Sequence, residues 1–108
     1  MLTARWVEST LLVRLPARVD QSNADQVRAD LLAAVGRASR MLIADMSGTA
    51  WCDWAGMDAI ASVFTRARAA GTELRLVVRD ESVRRALHLN GLDRLMPIYR
   101  DMTTATYH

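Results

Sequence analysis

The side chains able to do chemistry are few: one thiol, Cys52, two imidazoles, His88 and His108, and a group of carboxylates and hydroxyls between Asp45 and Asp53. Cys52, His88 and an acid such as Asp53 could in principle supply a nucleophile, a base and an orienting group. The local sequence argues against it. Cys52 sits between Trp51 and Asp53 in a stretch that reads as buried, and a neighbouring carboxylate raises a thiol pKa instead of lowering it. His88 stands between Leu87 and Leu89, and a single helix histidine of this kind reads as a packing or surface residue. One cysteine with His88 and His108 makes no structural zinc set. No glycine-rich nucleotide loop of the Walker or dinucleotide type is present. The reading is a protein that is not an enzyme and carries no cofactor and no metal. Ser47, Gly48 and Thr49 ahead of a helix could hold an anion, or their hydroxyls could bond within the loop.

With 108 residues, 51% of them hydrophobic and 24% charged, the chain can bury a core without disulfide or metal support. It is expected to form one domain over residues 1–108. No stretch approaches the roughly 18 apolar residues of a membrane helix, and the start shows no charged-then-apolar signal pattern, so a soluble cytoplasmic protein without membrane insertion is expected. All fourteen basic residues are arginine, yet the formal net charge is only +2. The arginines come in loose pairs (Arg37 and Arg40, Arg66 and Arg68, Arg84 and Arg85) interleaved with acids, so no basic stripe for nucleic acid is visible.

Apolar alternation at Leu2, Ala4 and Trp6, then at Leu11, Val13 and Leu15, predicts an opening hairpin turning at Glu8-Ser9-Thr10. Ala24, Val27, Leu31 and Val35 repeat as a helix over about residues 22–36, with Asp20, Ser22 and Asn23 as cap candidates and Gly36 as its close. The unbroken run Met41-Leu42-Ile43-Ala44 predicts a central strand covered on both faces. After a loop from Asp45 to Asp53, Met57, Ile60, Ala61 and Phe64 predict a second helix ending at Gly71. A strand over 73–78, a short helix through Val83, Ala86 and Leu87 to Asn90-Gly91, and a last edge strand over 96–99 containing Pro97 complete the order. Strands joined through helices pair in parallel. The class is therefore α/β, with a mixed sheet of about five strands behind an N-terminal hairpin.

The segment from Asp45 to Met57, DMSGTAWCDWAGM, resembles the signature of STAS domains, the anti-sigma factor antagonist family. Two further stretches, AGTELRLVV from Ala70 and VRRALHLNGLD from Val83, stand at the family's spacing, and Asp20 matches an acid that members carry after their second strand. The resemblance implies the STAS fold and a role in transcription regulation, by docking on a protein partner, an anti-sigma factor that is also a serine kinase. It further implies that partner-binding residues include Asp20, Asp53, Trp54, Ala55, Gly56 and Met57. In the family a serine after the loop aspartate is phosphorylated to release the partner. Here that position is Trp54, followed by Ala55, so a non-phosphorylatable variant is expected, with Ser47 and Thr49 as weak alternative acceptors. Some relatives bind nucleotides or sit in transporters, so the alternative is a cytoplasmic subunit of a transport complex or a small-anion or nucleotide sensor. A homodimer through an edge strand or Trp54 is a further possibility.

The residues themselves admit plainer roles. Asp53 directly before a helix is a natural N-cap, and either Asp20 or Ser22 could serve the first helix. Gly56 in a first helical turn implies close packing or a partner contact. Trp54 falls outside the Met57, Ile60, Phe64 stripe; it either folds over Trp51 or Met57 or stays exposed as an interface anchor. Trp51 is expected in the core.

Overall fold

The computed structural model describes residues 2–38 and 40–107; His108 lies outside them. Two short strands open the chain, β1 (Thr3–Val7) and β2 (Thr10–Arg14), paired antiparallel with Val7 opposite Thr10. The turn is thus Glu8-Ser9 alone, with Glu8 at φ 55°. Next come β3 (Arg18–Val19), α1 (Ala24–Arg37), β4 (Met41–Met46), β5 (Trp51–Cys52), α2 (Trp54–Ala69) and β6 (Glu73–Val78). The chain continues through α3 (Glu81–Leu89), α4 (Leu92–Leu95), β7 (Ile98–Tyr99) and α5 (Met102–Tyr107).

Five strands form one mixed sheet in the order β1-β2-β4-β6-β7, parallel except for the opening hairpin. β4 is internal, as its unbroken apolar run predicts, and β7 is an edge strand. Pro97, which has no donor, contributes only its carbonyl, accepting from Leu76 N–H at 3.0 Å. The expected last strand, 96–99, shortens to two residues, and the turns of α4 and α5 lie beyond what periodicity shows. The expected loop 45–53 also carries structure: β4 runs on to Met46, and β5 pairs in parallel with β3 as a separate two-stranded sheet. Two residues are too few for an alternation to show.

Side-chain alternation divides the main sheet. Leu11 and Val13, Leu42, Ala44 and Met46, and Leu74, Leu76 and Val78 face α1, α2 and α3 in the principal core. Leu12, Ile43 and Val77 face the other way, against Ala105 and Met102 of α5. Each such buried Leu, Ile or Val contributes about 1.5–3 kcal/mol. α2 ends in a Schellman motif, with Thr72 N–H donating to Ala67 O at 2.8 Å and Gly71 N–H to Arg68 O at 3.2 Å. Gly71 has φ +76°, the left-handed conformation this motif requires. Gly36 does not close α1, which runs on to Arg37.

One polar tie secures α5. The Arg75 guanidinium, on the second face of β6, donates from Nη1 to Ala105 O at 2.7 Å, pairs through Nε with Glu73 at 2.9 Å and lies 5.5 Å over the Tyr99 ring. Arg75→Ala removes all three contacts. It is expected to destabilise the fold by roughly 1–2 kcal/mol in urea titration, with the α5 amides losing hydrogen-exchange protection first; an unchanged midpoint would show that α5 is held by apolar contact alone.

Candidate docking surface at the start of helix α2

Asp53 is the N-cap of α2, and its two carboxylate oxygens are divided. Oδ1 accepts from Gly56 N–H at 3.0 Å, while Oδ2 accepts from Gln21 N–H, also at 3.0 Å. The first bond is ordinary capping. The second fastens the start of α2 to the turn before α1, and the backbone repeats the tie, since Asp53 N–H donates to Val19 O at 3.1 Å. Further back, Thr49 Oγ1 donates to Pro16 O and Ala50 N–H to Ala17 O, both at 2.8 Å. The loop 49–53 is thereby stitched along residues 16–21.

Gly56 makes this approach possible. A Cβ there would meet Val19 O at 2.7 Å, Cys52 Sγ at 2.8 Å and Val19 Cγ1 at 2.9 Å, so close packing explains the glycine. Ala55 is buried with Ala24 and Ala59 where α2 crosses α1, and Met57 lies in the principal core. Ala55, Gly56 and Met57 therefore face inward, and the exposed part of the surface comes from other residues.

The β3–β5 pairing aligns Arg18 with Trp51 and Val19 with Cys52. Val19 and Cys52 are buried, so Arg18 and Trp51 point out. Trp51 is 51% exposed, against the expectation of a core residue; the inward place in that alternation belongs to Cys52. The Arg18 guanidinium lies 5.7 Å from the Trp51 ring centre, a cation–π contact, and its Nε is 3.4 Å from Asp20 Oδ2. Asp20 does not cap α1. Its carboxylate accepts from the Ser22 hydroxyl and N–H, and its carbonyl accepts from Asn23 and Ala24 N–H. The Ser22 hydroxyl, then the Ser22 N–H and Arg18, hold the Asp20 carboxyl below its ordinary value.

Trp54 is 70% exposed, which settles its orientation in favour of the outward one. Arg18, Asp20, Gln21, Ser22, Trp51 and Asp53 line a shallow groove of about 440 Å³ beside it. Arg18 and Gln21 could not be picked out from sequence, because only the β3–β5 pairing carries them to Trp51 and Asp53. Thr49 is buried with its hydroxyl spent on Pro16, while Ser47 is half-buried with its N–H bonded to Asp45 Oδ1 at 2.9 Å. His88 bonds Asp93 at 2.7 Å in a groove that does not include Cys52.

Two consequences are measurable. Gly56→Ala forces β3 or Cys52 to move and is expected to destabilise the fold by roughly 1–3 kcal/mol in chemical denaturation; a neutral effect would mean that α2 and β3 are not in contact. Burial first, and Asp53 second, push the Cys52 thiol up from 9.0 to about 12. The thiolate at pH 8 is then scarcer by about a thousandfold than for an ordinary cysteine. Because the folded value is the higher one, this contribution to stability is complete below pH 9 and is lost as pH climbs toward 12. Alkylation by iodoacetamide at pH 8 is expected to follow unfolding, and rapid labelling of the native protein would contradict this burial.

Comparison with known proteins gives a consistent picture. Solved structures that resemble the chain include an anti-sigma factor antagonist from Mycobacterium paratuberculosis, 21% identical with TM-score 0.89, over 98% of this chain and 90% of that one. The Bacillus cell fate determinant SpoIIAA in its phosphorylated form is 17% identical with TM-score 0.70, over 98% of this chain and 97% of that one. The murine anion transporter Slc26a9 is 20% identical with TM-score 0.78, over 94% of this chain and only 18% of the transporter. No curated protein matches by sequence search. The STAS domain family model matches residues 2–105, and the chain belongs to that family.

Proposed function

We propose that this STAS domain is a cytoplasmic regulatory binding module of the anti-sigma factor antagonist kind, docking on an anti-sigma factor or serine kinase without a serine phospho-switch. The observation that carries the reading is Trp54, 70% exposed immediately after the cap residue Asp53. This is where the family resemblance places the phospho-acceptor. In a member with serine there, phosphorylation adds up to about two negative charges beside the loop aspartate and opposes docking. An indole offers apolar area instead, and tryptophan in the centre of an interface is a frequent source of binding energy.

The surroundings support a preformed surface. Asp53 is held by two backbone donors and Asp20 by Ser22, so neither carboxylate has to be ordered on binding. Trp51 and Trp54 provide two exposed aromatic side chains at one end of the sheet. The alternative acceptors are less suited: a kinase would have to unfold the loop to reach Thr49, and Ser47 is half-buried. The binding role also fits a cysteine whose thiol is buried and protonated.

The likeness to Slc26a9 favours a second reading, a cytoplasmic STAS subunit of a transport complex. No helix among the described residues is long and apolar enough to cross a membrane. An anion seat at the start of α2 is disfavoured, since Asp53 itself accepts the N–H of Gly56 there.

Pull-down from the native host with the wild-type chain as bait identifies the partner and separates the two readings. In calorimetry on the purified pair, Trp54→Ala is expected to weaken the complex by at least about tenfold; equal affinity of variant and wild type would end the proposal.

A further inference from the structure

Arginines that look scattered in the sequence converge at the far edge of the sheet. Along α3, Glu81, Arg84, Arg85 and His88 recur at helical spacing and share one face. Asp93 of α4 and Arg100, directly after β7, stand across from them, and together these six residues line an open groove of about 450 Å³. That size falls in the range of small-ligand clefts. The groove lies by the carboxyl ends of β6 and β7, since Arg84 Nη1 donates to the carbonyl of Val78, the last residue of β6, at 3.3 Å, and Arg100 follows the last residue of β7. The carboxyl ends of the strands are the side of open α/β sheets on which ligand crevices form.

The charges in the groove are unevenly matched. Asp93 is committed to His88 at 2.7 Å, and the His88 hydrogen bond is the main cause holding its carboxyl below the ordinary value. Glu81 reaches Arg100 only at 3.6 Å, with both side chains about two-thirds exposed. Such a pair is weak and exchangeable. Arg84 is steadied by one bond to Val78 and keeps other donors of its fork available. The Arg85 side chain has no hydrogen bond or ion pair among the described residues. Three guanidiniums from two walls thus converge with one weakly engaged carboxylate among them.

We propose that this groove binds a small phosphate-bearing anion of diphosphate size, with Arg84 and Arg85 gripping it from α3 and Arg100 from the opposite wall as Glu81 is displaced. Guanidinium forks match phosphate oxygens in bidentate fashion, and cations on two walls suit an anion with two charged groups. The groove shares no residue with the docking surface on α2. The site is independent of the partner proposed there.

Inorganic pyrophosphate titrated into the full chain at low ionic strength tests the assignment. Saturable binding is expected in calorimetry, with amide shifts in ¹H–¹⁵N spectra gathered over residues 81–88 and 98–100. The double variant Arg85→Gln with Arg100→Gln should bind at least about tenfold more weakly, whereas Arg66→Gln with Arg68→Gln on α2 should bind like wild type. Glu81→Gln, which removes the competing carboxylate, should bind more tightly, and this gain cannot come from misfolding. Adenosine diphosphate binding tighter than pyrophosphate would point to a nucleotide, and equal binding to the free anion. Absence of saturation, equal loss in both double variants, or shifts centred on Gln21 and Gly56 would overturn the proposal.

Discussion

The start of α2 is held by a single carboxylate shared between two segments. Asp53 takes the N–H of Gly56 inside its own helix and the N–H of Gln21 from the turn before α1. These bonds depend on the bare Cα of Gly56, because a side chain there would run into Val19 and Cys52. Once the approach is made, Thr49 and Ala50 bond along Pro16 and Ala17, and the two-residue strands β3 and β5 can pair. The small sheet thus follows from a packing constraint at one glycine. Strands that short have no stability of their own.

That constraint also decides what the surface presents. With Val19 and Cys52 turned in, strand alternation turns Arg18 and Trp51 out, and the cap position leaves Trp54 pointing away from the buried stripe of α2. Two indoles and two pre-bonded carboxylates then lie around one shallow depression. The family resemblance places the regulatory hydroxyl where this chain has an indole, and Thr49 is buried with its hydroxyl bonded to Pro16.

The two faces of the main sheet are unequal. One carries α1, α2 and α3 over the principal core, while the other is covered near Ile43 and Val77 by the six residues of α5 and pinned by Arg75. Past the covered part, the second face carries the charged side chains of Arg5, Arg14 and Asp45 around an open hollow that Leu12 also lines. Its hydrophobic cover is therefore local. At the far edge, β7 and α3 bring separate arginines into one groove. Charge that is balanced along the chain becomes concentrated only through this convergence.

Much of the architecture was legible from the residues alone. The alternation of Leu2 to Leu15, the unbroken run from Met41 and the 3.6-residue stripes of α1 and α2 report which faces are buried, because burial on one side leaves a period in the chain. Asp53 as a cap and Gly56 as a tight spot were equally readable, since both are local to one helix start. Tertiary structure alone decided the rest. Trp51 was expected inside, and the pairing of β3 with β5 turns it out and Cys52 in, while packing of α2 on α1 and on the core buries Ala55 and Met57. Two-residue strands and short helices such as α4 and α5 are too brief to carry a period, and they form only where the larger elements already supply a surface. The bond from Gln21 to Asp53, and the placing of Arg85 and Arg100 along one groove, bring together residues apart in sequence, and no local pattern encodes a placement of that range.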